Sequence, residues 1–272
     1  MAEKGQKIYT FLDKYFHAFL GSVYVLTLGL IQGKNRTRLA KIASEFGWKD
    51  PRRSEPTRIP IIDPMQYFLG DDPVYMRDPI SDDGNVSLLE LLVINTLIKR
   101  KNPVTLFEVG TFDGRTALNM AANTSPDAKI YTLDLPSEKI VEARQNPLGD
   151  AKFVGKALIG YKFKNSSYGK KITQLEGDSA TFNFKPYEKS MDFIFVDGAH
   201  SYSYVSSDTT HSLDMLREGG VVIWHDYGHI CRGVTVFLNE LYATGGIFKK
   251  LRWVRGTTLV ILASDHILKN NS

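Results

Sequence analysis

Short apolar runs of four to six residues recur beyond residue 100, at 104–109, 129–133, 172–175, 193–196 and 221–224. Helical stretches separate most of them. Strands alternating with helices imply a parallel sheet covered on both faces. A final pair, 248–254 and 257–262, is joined by Arg255-Gly256 and reads as a hairpin that closes the sheet antiparallel. The expected architecture is a three-layer α/β sandwich on a mostly parallel seven-stranded sheet. Ser87 and Glu90 form a capping box for a helix over 88–100. Ahead of that helix lie a Pro-rich segment, 47–85, expected as a linker or wrapping arm, and a helical N-terminal extension, 1–46. The third region, 86–268, carries the sheet.

Composition narrows the functional classes. At 43% hydrophobic and 24% charged, the 272 residues suit a globular chain and exclude a disordered or fibrous one. Cys231 is the only cysteine, which excludes a disulfide framework and a Cys-cluster zinc site. A net charge of +4 gives no case for nucleic acid as a partner. The excess is uneven, for residues 1–60 hold eleven Lys and Arg against five acids. Within them the apolar run 16–31 falls short of the about 20 residues that span a bilayer. It is expected to pack against the core or a second subunit. The alternatives are an interfacial anchor assisted by Lys34, Arg36 and Arg38, and a true span.

In open α/β sheets, ligands bind beyond the carboxyl ends of the strands. The polar residues there are Glu108, Asp134, Asp178, Asp197, His225 and Asp226, five of them carboxylates. Acids gathered on one rim repel one another, so a metal or a ligand with cationic groups and hydroxyl donors explains them. The first loop, Phe107 to Thr116, places glycines at 110 and 114 between a strand and a helix. It is not a dinucleotide fingerprint, because GxGxxG is absent, and Glu108 with Asp113 would repel a pyrophosphate. No GxSxG nucleophile elbow occurs either.

That loop resembles the E-x-G-x-x-x-G motif of the class I S-adenosylmethionine (SAM)-dependent methyltransferases, over roughly residues 85–263. The resemblance implies a Rossmann-like fold and SAM as cofactor. Glu108, Gly110, Asp113 and Gly114 would then shape the pocket for its methionine end, with Thr111 and Thr116 as hydroxyl donors. Asp134 would accept from the ribose hydroxyls, and Asp178 with Ser179 would border the adenine.

The ends of the fourth and fifth strands, Asp197-Gly-Ala-His200 and His225-Asp226-Tyr227, narrow the resemblance. They are similar to the branch containing catechol O-methyltransferase and the macrolide and aminocoumarin sugar O-methyltransferases. By that likeness Asp197, His225 and Asp226 would hold a divalent metal, with Asp197 also lining the cofactor pocket. His225 is a departure, standing where those relatives carry a carboxylate; two carboxylates and an imidazole suit Mn²⁺, Fe²⁺, Co²⁺ or Zn²⁺ better than Mg²⁺. His200 stands where catechol O-methyltransferase has its lysine base. The expected function is metal-assisted O-methylation of a small molecule or sugar by a homo-oligomeric, cytoplasmic enzyme, membrane-associated if at all through 16–31. A protein that keeps the fold without turnover is the other class. The basic, aromatic insert 152–171 is expected to be a solvated loop or an acceptor lid.

Overall fold

Residues 2–31, 39, 55–68, 73–80, 84–136, 159–228 and 231–268 are described by a computed structural model, and they fall in two units, Met1–Arg52 and Arg53–Ser272. The first unit holds α1, Ala2–Leu26, followed by the 3₁₀ turn Leu28–Ile31. Counted from Asp13 to Ile31, this helical stretch is long and apolar enough to cross a membrane, longer than the run of sixteen read from the sequence. Tyr15, Phe16, Phe19, Leu20, Val23, Tyr24, Leu26, Leu28 and Ile31 are exposed.

The second unit is built on one sheet of eight strands: β1 Ile61–Ile62, β2 Thr105–Val109, β3 Lys129–Asp134, β4 Ile172–Glu176, β5 Met191–Val196, β6 Leu216–Trp224, β7 Arg252–Val254 and β8 Val260–Leu262. Their order is β1-β7-β8-β6-β5-β2-β3-β4, with β8 antiparallel to both its neighbours and the other pairs parallel. The strand order reverses between β2 and β5, so the ligand crevice belongs there. Seven of these strands match the sequence reading. The eighth, β1, comes from the arm and is too short to display a period.

Helices α2 Pro64–Tyr67, α3 Leu88–Lys101, α4 Arg115–Asn123, α5 Tyr161–Lys164, α6 Tyr202–Met215, α7 Arg232–Thr244 and α8 Asp265–Leu268 complete the unit. One apolar core lies under α3 and α4, on the sheet face carrying Leu106, Ile130, Phe193 and Ile223. The opposite face, with Phe107, Ile194, Val222 and Trp224, packs against residues of α6 and α7 such as Val205 and Leu238.

The arm lies along α4 because side chains of that helix satisfy its backbone. Asn123 accepts from the Tyr75 amide and donates to the Tyr75 carbonyl, each at 2.8 Å. Asn119 repeats the pairing with Arg77, again at 2.8 Å on both sides. Arg115, fully buried, donates to the carbonyls of Asp78 (2.6 Å), Val86 (2.8 Å) and Pro79 (3.4 Å). Two amides and a guanidinium thus replace the strand partner that a Pro-rich segment cannot recruit.

Asp208 on α6 is 1% exposed, so its carboxylate has lost nearly all of its water. Burial pushes its carboxyl up to about 6, and the neighbouring Ser179 hydroxyl relieves this only in part. A raised carboxyl pKa contributes stability that is present below the unfolded value near 4 and is lost as pH rises through about 6. The shift corresponds to about 3 kcal/mol. Asp208→Asn is therefore expected to flatten the fall in unfolding free energy between about pH 4 and pH 6. Denaturant unfolding across that range measures it, and parallel profiles for the two proteins would contradict the assignment.

Candidate active site

Register brings the strand ends level. Val109 pairs with Leu133 and Val196, and Val196 with Trp224. The ladder runs one residue further: Gly110 donates to Leu133 (2.8 Å), Asp197 to Val109 (2.8 Å) and His225 to Val196 (3.0 Å). Gly110, Asp197 and His225 therefore stand side by side on one rim. At Gly110, φ is +98° and a Cβ would lie 2.0 Å from the Asp197 carbonyl oxygen. Only glycine lets the two loops pass this closely.

Beneath the first loop, Glu108 is 1% exposed and accepts from Thr132 Oγ1 at 2.5 Å. Burial raises its carboxyl well above the ordinary range; the Thr132 hydroxyl offsets this in part, and Asp197, Asp134 and Asp113 add to it. Thr111 Oγ1 shares a 2.7 Å hydrogen bond with Thr132 Oγ1, which places it in this buried network. Asp134 staples the loop, for its Oδ2 accepts from the amides of Thr111 (3.0 Å) and Phe112 (2.8 Å), and its Oδ1 from Leu135 (2.8 Å). Its carboxyl is also raised, by burial.

Asp113 turns to the arm instead. It accepts from Asn85 Nδ2 (2.9 Å) and the Arg115 amide (3.0 Å), and lies 3.1 Å from Lys162 Nζ. Lys162 also pairs with Asp78 at 2.5 Å, and its neighbour Phe163 fills the space over Gly114 that a Cβ would need. Residues 160–164 of the insert are thus docked on the glycine loop rather than solvated; 152–158 lie outside the described residues. Thr116 is half-buried in the first turn of α4. Farther along the rim, Asp178 accepts from the Ala180 amide (3.0 Å) and from Tyr204 Oη (3.1 Å), with Ser179 beside it.

At the other end of the rim the four remaining candidates converge. Asp197, His200, His225 and Asp226 line a cavity of about 10 Å³, room for one small sphere. His225 Nδ1 is 2.9 Å from Asp197 Oδ1 and 3.3 Å from Asp226 Oδ2, within ion-pair distance of both carboxylates. Asp226 Oδ2 also lies 2.5 Å from His200 Nε2. Asp226 has φ +64°, a left-handed conformation that short polar side chains tolerate and that departs from a strand path. Burial disfavours the imidazolium of His225, but Asp197 and Asp226 outweigh it and hold the ring well above its usual range. Burial is likewise outweighed at Asp226, whose carboxyl His225 and His200 hold well below the ordinary one.

Glu90, which reads in the sequence only as half of a capping box, also belongs to this site. It keeps that role, accepting from the Ser87 amide at 2.6 Å. Its Oε2 lies 3.4 Å from His225 Nε2, and its Oε1 accepts from Thr258 N (2.7 Å) and Oγ1 (2.9 Å). The Thr258 hydroxyl in turn accepts from the Asp226 amide at 3.2 Å. Burial is more than offset by His225 and these amides, so Glu90 stays well below the ordinary carboxylate range. A carboxylate on one ring nitrogen, with the other aimed at two further carboxylates, is how a metal-binding histidine is oriented. The donor set therefore fits a divalent cation.

A methyltransferase domain family matches residues 107–227, from β2 to the end of β6. Caffeoyl-CoA O-methyltransferase of Stellaria longipes is 30% identical over 193 residues, covering 69% of this chain and 70% of the relative. The chain belongs to the class I SAM-dependent O-methyltransferases, in their metal-dependent branch. It is an enzyme of that family, with SAM as cofactor, and its homologues act on small-molecule acceptors. Among solved structures it is similar to the O-methyltransferase TomG of Streptomyces achromogenes in complex with SAM (18% identity, 67% and 82% of the two chains, TM-score 0.45). It is also similar to the SAH-bound methyltransferase PaMTH1 of Podospora anserina (21% identity, 59% and 58%, TM-score 0.40), of which it spans little more than half.

The crossing at Gly110 is the tightest point of this O-methyltransferase rim. Gly110→Ala is expected to cost at least about 2 kcal/mol of stability, from the positive φ and the displaced Asp197 loop, and to weaken SAM binding. Chemical denaturation and calorimetry check both. Stability within about 0.5 kcal/mol of wild type would contradict the close approach.

Proposed function

We propose that the enzyme methylates a hydroxyl of a small molecule or sugar with the help of a divalent cation held by Asp197, His225 and Asp226. One observation carries this reading: Asp197, His225 and Asp226 bring one ligand atom each within 4.8 Å of one another at the ends of two adjacent strands. SAM supplies the sulfonium methyl. When bound, the cation supplies a Lewis acid that lowers the pKa of the acceptor hydroxyl. Manganese, iron, cobalt or zinc suit the imidazole-containing donor set better than magnesium.

This chain's residues do the rest. Gly110 and Gly114, with Glu108 and Thr111 beneath them, let the loop pack against Asp197 and Phe163 and so shape the wall beside the methionine end of SAM, which Asp197 borders. Asp113 acts at one remove, fixing the loop to the arm through Lys162, while Thr116 flanks the loop at the start of α4. Asp134 holds the loop amides and offers its remaining lone pairs to the ribose. Asp178 and Ser179 border the adenine. His200, oriented by Asp226, accepts the acceptor's proton, and Glu90 keeps the His225 ring turned toward the two acids. Holding donor and acceptor in line supplies most of the acceleration.

Chelation is expected to abolish turnover while leaving SAM binding largely intact, and His200→Ala to lower kcat by about 10²–10⁴-fold. Assays on EDTA-dialysed protein and pH–rate profiles check this. Full activity without metal would remove the cation, and an unchanged pH profile in His200→Ala would remove the base.

For α1, we propose self-association or contact with a cytoplasmic membrane surface, supported by its exposed apolar side chains and the basic residues that follow. A chain starting at Arg53 is expected to bind SAM normally but to lose self-association and partition onto anionic vesicles. Sedimentation and vesicle flotation measure both, and equal behaviour of the two chains would count against the role.

A further inference from the structure

We propose that His200, Asp226 and Cys231 form a second cation site, selective for thiophilic ions such as Zn²⁺ and Cd²⁺, and that an ion bound there inhibits the enzyme. The three residues offer Nε2, a carboxylate oxygen and Sγ within 4.8 Å of one another, a spread that side-chain movement of about 1 Å would close onto one ion with bonds of about 2.0–2.3 Å. Two parts of the fold bring them together. Gly233, in the first turn of α7, has no Cβ, and one placed there would lie 2.3 Å from the His200 carbonyl oxygen. The loop after β5 is therefore pressed against the start of α7, where Cys231 is the N-cap. The Cys231 side chain makes no capping hydrogen bond. A helix N-terminus attracts negative charge, which suits a thiolate ligand.

Asp226 is common to both sites. Its Oδ2 lies 2.5 Å from His200 Nε2 on one side and 3.3 Å from His225 Nδ1 on the other. A hard ion prefers the set with two carboxylates, Asp197, His225 and Asp226. A soft ion gains a thiolate by moving to the other set, which draws Asp226 away from the first. It also replaces the His200 Nε2–Asp226 contact that orients the ring, so Nδ1 is no longer placed to accept the acceptor's proton. The site stands on its three donors; only its inhibitory effect rests on the proposed role of His200.

The test is a Cd²⁺ titration of the full chain, without SAM or thiol reductant, followed by thiolate-to-cadmium absorption in the ultraviolet. Cys231 is the only cysteine, so that absorption has a single source. The band is expected to saturate at one equivalent in wild type and in His225→Ala, and to vanish in Cys231→Ser. In His200→Ala, affinity is expected to fall by about tenfold or more. Serine is a favoured N-cap, so Cys231→Ser keeps the helix start. No thiolate band in wild type at saturating Cd²⁺, or equal affinity in His200→Ala, would overturn the site. In methyl-transfer assays Zn²⁺ is expected to inhibit wild type and to inhibit Cys231→Ser much less. Equal inhibition of both proteins, with the band present in wild type, would overturn the inhibitory role alone.

Discussion

His225 stands among three carboxylates, with Glu90 3.4 Å from Nε2 and Asp197 and Asp226 at 2.9 and 3.3 Å from Nδ1. Glu90 is buried and the other three are partly so, and charge taken out of water is tolerated best where it is paired. A protonated His225 supplies one positive charge against three carboxylates. A divalent cation on Nδ1 supplies two and lets the ring act as a neutral ligand. The rest of the rim can be understood as the means of holding this arrangement, from the left-handed backbone at Asp226 to the Thr258 bridge between Glu90 and the Asp226 amide.

The cofactor half of the rim solves a related problem with different means. Glu108 is buried beneath the glycine loop, where Thr132 hydrogen-bonds its carboxyl and Thr111 hydrogen-bonds Thr132 in turn. Asp134 is bound by three backbone amides, so its charge fixes the loop before any ligand arrives. Lys162 and Arg115 connect that loop to the arm, one through a salt bridge to Asp78 and the other through carbonyls of the same segment. A segment without periodicity of its own is thereby made part of the wall around the cofactor loop.

How much of this could be read in advance depended on the range of each interaction. The strands of the sheet announce themselves because each is a local apolar run ending at a polar residue. For the same reason Asp197, His225 and Asp226 could be named together: they follow β5 and β6 directly, and parallel pairing aligns strand ends. Glu90 escaped because its contact with His225 spans most of the domain, while its local spacing from Ser87 already had a sufficient explanation as a cap. The docking of Lys162 on Asp113, and the capture of the arm by Asn119 and Asn123, leave no periodic trace. Strand β1 is only two residues long and exists because β7 offers it an edge. At α1 the sequence displays the apolar run plainly but not the surface it serves.

The central claim is that the acids and the imidazole at the ends of β5 and β6 converge on a cation. The most direct measurement is a crystal structure grown with Mn²⁺ and recorded at wavelengths either side of the manganese edge. The account calls for one anomalous peak bonded to Asp197, His225 Nδ1 and Asp226, with Glu90 still on Nε2. A map without a peak among those three residues, in which His225 Nδ1 donates a hydrogen bond to Asp197 instead, would contradict it.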